Sequence, residues 1–185
     1  MKNRTNTSRS WHQSNRDRAA GIALCGLMLL GACTPKLDWR EVAGTAAPYT
    51  VLLPSKPSTY ARSVNLGGIH AEMSMTAAEV DEVSYAVGSA ELADATQAQA
   101  ALAVMKDTLV ANIGGVVRHE KSVVGNGSTQ IELEAGPKPG GRPIALHARF
   151  IAAGRRVYQV IVIGPEKSVR PEAVETFLTS FKLPA

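Results

Sequence analysis

The sequence predicts an α+β fold in which an antiparallel β-sheet of about seven or eight strands packs with two main helices. Three observations carry that prediction. From Tyr49 onward most segments alternate apolar and polar residues with a period of two, as strands with one buried face do. Two stretches, opening near Asp94 and Pro171, instead repeat apolar residues every three or four positions, the spacing of one helix face. Several of the connections are short and contain Gly, which suits antiparallel neighbours.

Taken in order, Tyr49, Val51 and Leu53 share one face of a short strand that Pro54 ends, because proline cannot donate to a sheet ladder. A second strand is expected from about Thr59 to Leu66, followed by a tight connection at Gly67-Gly68. In the third, Ile69, Ala71, Met73 and Met75 point one way and His70, Glu72, Ser74 and Thr76 the other. A fourth, from about Asp81 to Ser89, sets Val83, Tyr85 and Val87 against Glu82, Ser84 and Ala86.

The first helix has Asp94 at its N-cap, with Gln97 three residues on in a near capping box. Ala98, Leu102, Met105, Leu109 and Ile113 form its apolar stripe, and Gly114-Gly115 supplies a left-handed C-terminus. Strands resume at Val116–Val124, turn through Gly125-Asn126-Gly127 and return over Thr129–Ala135, with Ile131, Leu133 and Ala135 inward. The stretch 136–141 holds too much Pro and Gly for regular structure. Two long strands follow, Pro143–Ala152 and Arg156–Gly164. Within the latter, Val157–Ile163 is apolar on both faces apart from Gln159, so it belongs in the middle of the sheet, covered on both sides. The last helix starts at Pro171 and presents Val174, Phe177, Leu178 and Phe181.

The stretch from Tyr49 to Pro54, with Pro57 nearby, and the closing stretch from Glu175 to Leu183 resemble the two ends of PsbP-like proteins of bacterial envelopes and thylakoids. That resemblance would span nearly all of residues 48–183. It implies an α-β-α sandwich and a role in binding or assembly rather than turnover, and it brings no catalytic residue with it.

The N-terminus carries a different signal. Lys2, Arg4, Arg9, Arg16 and Arg18 stand against Asp17 alone, and the apolar run Ala19–Ala32 follows. That run is fourteen residues, short of the ~20 that a helix needs to cross a bilayer, and so reads as the core of an export signal. Leu30-Gly31-Ala32-Cys33 then resembles the lipobox of bacterial lipoproteins. The resemblance implies a signal peptide over 1–32, lipidation of Cys33 as the first mature residue, a lipidated tether over 33–47 and a single α+β domain over 48–185. An ordinary secretory cleavage that leaves Cys33 as a thiol is the alternative. Cys25 falls in the removed segment, so no disulfide is possible within a mature chain. Trp39, in the tether, either packs on the domain or anchors at the membrane interface. Thr34 rather than Asp after Cys33 resembles the sorting of lipoproteins to the outer membrane, facing the periplasm.

Charge excludes one class of partner. The whole chain is +4, yet residues 33–185 hold fifteen Lys and Arg against fifteen Asp and Glu, so the excess belongs to the leader. A nucleic-acid partner needs concentrated positive charge, and the short Arg155-Arg156 pair beside Gly154 reads as a hairpin turn. The glycines do not match a phosphate loop, since Gly125 and Gly127 lie between strands and Gly114-Gly115 follow a helix. There is no Gly-x-Ser-x-Gly elbow and no second mature Cys, so no catalytic residue, metal ligand or cofactor is assigned.

His70, Glu72, His147 and Arg149 are the weak ligand candidates: if their strands were neighbours, the two histidines with Glu72, Glu132 or Glu134 would converge as metal ligands or an acid/base set. The preferred reading is that they are polar residues alternating on a half-exposed sheet face, where they meet water or a helix, and His119 reads as solvated. The expected function is a membrane-anchored, non-enzymatic binding or assembly module with an envelope protein partner. The alternatives are a small-ligand or lipid carrier, which requires a cavity between sheet and helix, and an enzyme built on the histidine set.

Overall fold

The computed structural model describes residues 36–125 and 127–184. The expected signal peptide and Cys33 lie outside the described residues, as does Asn126 of the expected turn. Nine strands and two helices follow one another as β1 (Arg40–Ala43), β2 (Thr50–Leu53), β3 (Ser58–Asn65), β4 (His70–Val80), β5 (Val83–Glu91), α1 (Ala95–Asn112), β6 (Gly115–Gly125), β7 (Ser128–Pro137), β8 (Ile144–Ala153), β9 (Arg156–Pro165) and α2 (Pro171–Ser180). Seven strands form one antiparallel sheet in the order β3-β4-β5-β9-β8-β7-β6, and β1 pairs with β2 in a separate ribbon. The expected α+β architecture is therefore present.

The sheet separates two cores, and the alternation along β9 shows how. Val157 and Ile161 enter the core under α1, with Met73, Met75, Leu102, Met105, Leu146 and Phe150. Tyr158, Val160 and Val162 enter the opposite core, with Tyr85, Val87, Val174 and Phe177. The helices thus cover opposite faces, which is why β9 needed apolar residues at both parities. Its neighbour β5 is buried on both faces as well, from Tyr85 through Ala90.

Local signals place the helices. The backbone N–H of Gln97 donates to Asp94 Oδ1 at 2.8 Å, capping α1. Gly114 adopts a φ of 60° just past the C-cap Ile113, a conformation that costs glycine little. Pro171 opens α2, and its Ala173, Val174 and Phe177 are buried.

Three expectations are corrected. Gly136 and Pro137, expected to lie outside regular structure, end β7, where they pair with Val116 and Gly115 of the edge strand β6. Asp81 and Glu82, expected in a strand, instead form the turn between β4 and β5 with φ of 51° and 66°. The Val80↔Val83 register leaves only these two residues for the reversal, and a two-residue hairpin of this kind takes positive φ at both positions. The segment 33–47, expected as a tether, is folded at Arg40–Ala43, where β1 pairs residue for residue with β2. Its role is to cover the aromatic core under α2. Trp39 meets Tyr85 edge-on with ring centroids 6.3 Å apart, so the packing alternative describes it. Lys182 extends the ribbon by exchanging two backbone hydrogen bonds of 2.9 Å with Thr50.

Tyr49, Tyr158 and Phe181 pack together, with Tyr49 stacked on Phe181 at 5.5 Å, and Tyr85 meets Phe177 at 5.6 Å. Burial raises the phenol pKa of Tyr49, Tyr85 and Tyr158 above the ordinary 10.0. The folded state then holds these protons more tightly than the unfolded chain, so stability falls as pH rises past the unfolded value. Alkaline titration should therefore unfold the domain cooperatively above about pH 10, with phenolate absorbance and loss of near-ultraviolet dichroism rising together; three independent, uncooperative phenol titrations would contradict this. A chain beginning at Pro48, lacking Trp39 and β1, should melt lower than one beginning at Lys36 in thermal denaturation.

Candidate functional site

Among the described residues a cleft lies on each face of the sheet. The first, of about 510 Å³, lies beside α2 over β6, β7 and β8. The register fixes its contents. Glu134 pairs with His119 on one side and with His147 on the other, while Glu132 pairs with Lys121 and Arg149. Paired residues share a sheet face, so two rows run across three strands, each an acid between two bases. A β-bulge at Val117/His119 adds Arg118 to the same side, where its guanidinium reaches Glu166 at 2.8 Å and lies over Gly136, at which any Cβ would collide with it.

These groups largely satisfy one another. Arg149 donates to Glu132 Oε1 at 3.0 Å and to the backbone carbonyl of Leu178 at 2.9 Å. That carbonyl belongs to the last turn of α2, where a cation both completes an open hydrogen bond and meets the negative end of the helix dipole. Arg149 Nε is buried without a partner. His147 Nδ1 stands 3.8 Å from Glu134 Oε1, outside hydrogen-bond range. The arrangement ties a helix to a sheet and presents a polar surface of alternating charge.

The four sequence candidates divide. His147 and Arg149 line this cleft, whereas His70 and Glu72 are exposed on β4. β5 and β9 separate β4 from β8. Following the paired row Ser74–Ser89–Tyr158–Ile151, His70 and His147 lie four residues to opposite ends of it. Strand spacing and rise then put them on the order of 30 Å apart. His70, Glu72 and His147 therefore cannot share a ligand, which removes the set on which the enzyme alternative depended. No group of three or more His, Cys, Asp or Glu able to hold a metal occurs among the described residues. The residue that does join His147 is His119. Nothing local marks it, because its place is set by which strands neighbour one another.

The second cleft, of about 410 Å³, opens between α1 and the β3 side of the sheet. Met73, Met75, Met105 and Ile161 are apolar side chains of its lining, and Tyr60, 51% exposed, stands at its rim. Gln159 also lines it, and is only 6% exposed. Met75, Gly88 and Gln159 form one row across β4, β5 and β9. A Cβ at Gly88 would come within 2.6 Å of the Met75 sulfur and 2.7 Å of Gln159 Cγ, so glycine is what lets the two side chains meet over β5. Sequence reasoning singled out Gln159 as the polar exception in a central strand, and its use becomes visible only with the cleft.

No family model matches the chain, and no curated protein matches it in sequence.

Because Arg149 links α2 to β7, Arg149→Ala should cost about 1–3 kcal/mol, measured by chemical denaturation. Arg118→Ala, whose exposed ion pair with Glu166 is screened by solvent, should stay within about 1 kcal/mol of wild type.

Proposed function

We propose that this chain is a membrane-anchored lipoprotein of the bacterial envelope, facing the periplasm from the outer membrane, that works as a non-enzymatic binding or assembly module. The observation that carries the binding role is the distribution of exposed apolar side chains. Among the described residues five large hydrophobic side chains are exposed, and four of them, Val116, Val117, Val123 and Val124, stand on β6. This strand is one of the two edges of the seven-stranded sheet, and ten of its eleven residues are exposed.

An edge strand offers unpaired backbone donors and acceptors to a partner, and valines placed beside them add apolar contact, the combination used in recognition by strand addition. The charged centre Arg118-His119-Glu120-Lys121 and the bulge interrupt the edge, which disfavours indiscriminate pairing and leaves the two valine pairs as separate contact points. The lipobox-like Leu30-Gly31-Ala32-Cys33 supports the anchor. The likeness of residues 48–183 to PsbP-like proteins supports a binding rather than a catalytic role.

Site-specific photo-cross-linking in intact cells tests this reading. A photoreactive residue at Val124 should capture one envelope protein in the wild-type background and lose it when Cys33→Ser removes the anchor. The same residue at Glu72, at the far side of the sheet, should not capture it. Equal capture from both positions, or none from Val124, would count against β6 as the binding edge.

A further inference from the structure

We propose that the cleft beside α1 is a binding site for a small amphipathic carboxylate, with its carboxylate on Arg62 and a polar group at its far end on Gln159. The inference starts from a weakly paired polar group. Gln159 sits in a central strand, 6% exposed, and its side chain has one hydrogen-bond partner among the described residues, the Met75 thioether at 3.4 Å. Sulfur is a weak acceptor, and a buried amide left poorly paired is costly. Its remaining donor and acceptor capacity borders the cleft, where a ligand hydroxyl or carbonyl would satisfy it.

The walls describe the body of that ligand. Met73, Met75 and Met105 bring flexible, polarisable side chains that conform to apolar shapes, and the volume falls within the range of small-molecule sites. Exposed Tyr60 at the rim adds a flat apolar surface that the fold itself leaves uncovered.

The other end is set by charge. Arg62 pairs with Met73 across β3 and β4, so it shares the face of the cleft, which it lines. It is exposed and makes no ion pair among the described residues. Guanidinium geometry matches a carboxylate bidentately. Three strand spacings and a two-residue offset separate Arg62 from Gln159. The backbone distance is therefore about 16 Å, which side-chain reach shortens to on the order of 10 Å. That span fits a medium-length chain, short of a membrane lipid's acyl tail.

The test is calorimetric titration of the full chain in lipid nanodiscs, with empty discs as blank, using 8-hydroxyoctanoate, octanoate and octanol. Wild type should bind 8-hydroxyoctanoate most tightly. Arg62→Ala should weaken both carboxylates about tenfold, the loss of one charge-assisted contact, and leave octanol unchanged. Gln159→Leu should erase the preference for 8-hydroxyoctanoate over octanoate while melting at or above wild type without ligand, since it removes a poorly paired amide. Thr108→Trp, at an exposed helix position lining the cleft, should block all three ligands. The proposal is overturned if wild type binds no carboxylate above the empty-disc blank, if Arg62→Ala weakens octanol equally, or if Thr108→Trp leaves binding intact.

Discussion

Everything in this domain depends on the antiparallel pair β5–β9. Eight residue pairs, from Ser84↔Ile163 to Glu91↔Arg156, join the two strands, and both are buried on both faces. Val87 and Val160 are fully buried on the α2 side, while Ala86 and Ile161 face α1 on the other. Such a pair forms only when both helices are in place, because each strand face left uncovered would expose an apolar row to water. Neither helix supplies this cover alone. The long-range closure of β9 against β5, across more than sixty intervening residues in chain order, is thus the step that makes the two cores one structure.

The two faces of that central pair are built from different materials. Under α2 the core is aromatic, with Tyr49, Tyr85, Tyr158, Phe177 and Phe181 meeting edge-on or stacked and Trp39 closing one side. Rings of this size leave a packed interior only if something covers the side the short α2 cannot reach, and the β1–β2 ribbon does so. Under α1 the core is built largely from Ala, Leu and Met. Small and flexible residues leave the cleft that Gln159 borders, and Gly88 keeps its floor low. A rigid face and an adaptable face therefore share a single sheet, and the binding properties proposed for the adaptable one do not disturb the other.

Charge is organised by the same register. On β7, Glu132 and Glu134 stand between bases on both neighbouring strands, so the outer sheet face beyond α2 is polar yet internally balanced. Opposite charges placed directly across strands stabilise the pairing modestly, and Arg149 carries the effect into the helix layer through the Leu178 carbonyl. Lys106 does the corresponding work on the other face, where Glu120 accepts from it with both oxygens at 3.0 and 3.1 Å and raises its pKa. The apolar residues left over at the β6 edge stand out against this balance.

The sequence by itself determined the elements. Period-two alternation and the turn residues between segments located six strands of the main sheet to within a few residues, the Asp94 cap and Pro171 placed the helix starts, and the doubly apolar Val157–Ile163 announced the seventh as a central strand, because these signals are local and each reports its own burial. What the tertiary structure alone decided was adjacency. His70 and His147 look equivalent as polar residues on strands, but strand order sets them at opposite ends of the sheet and gives His147 the neighbours Glu134 and His119 instead. Residues 40–43 carry no clear period because a four-residue ribbon strand is too short to show one, and its partner β2 supplies the order. Gln159 was legible as an exception and not as a site. Its meaning depends on Gly88, Met75 and α1, which only the closed sheet brings beside it, since pairing between distant strands is set by the summed burial of both faces and by no single stretch of chain.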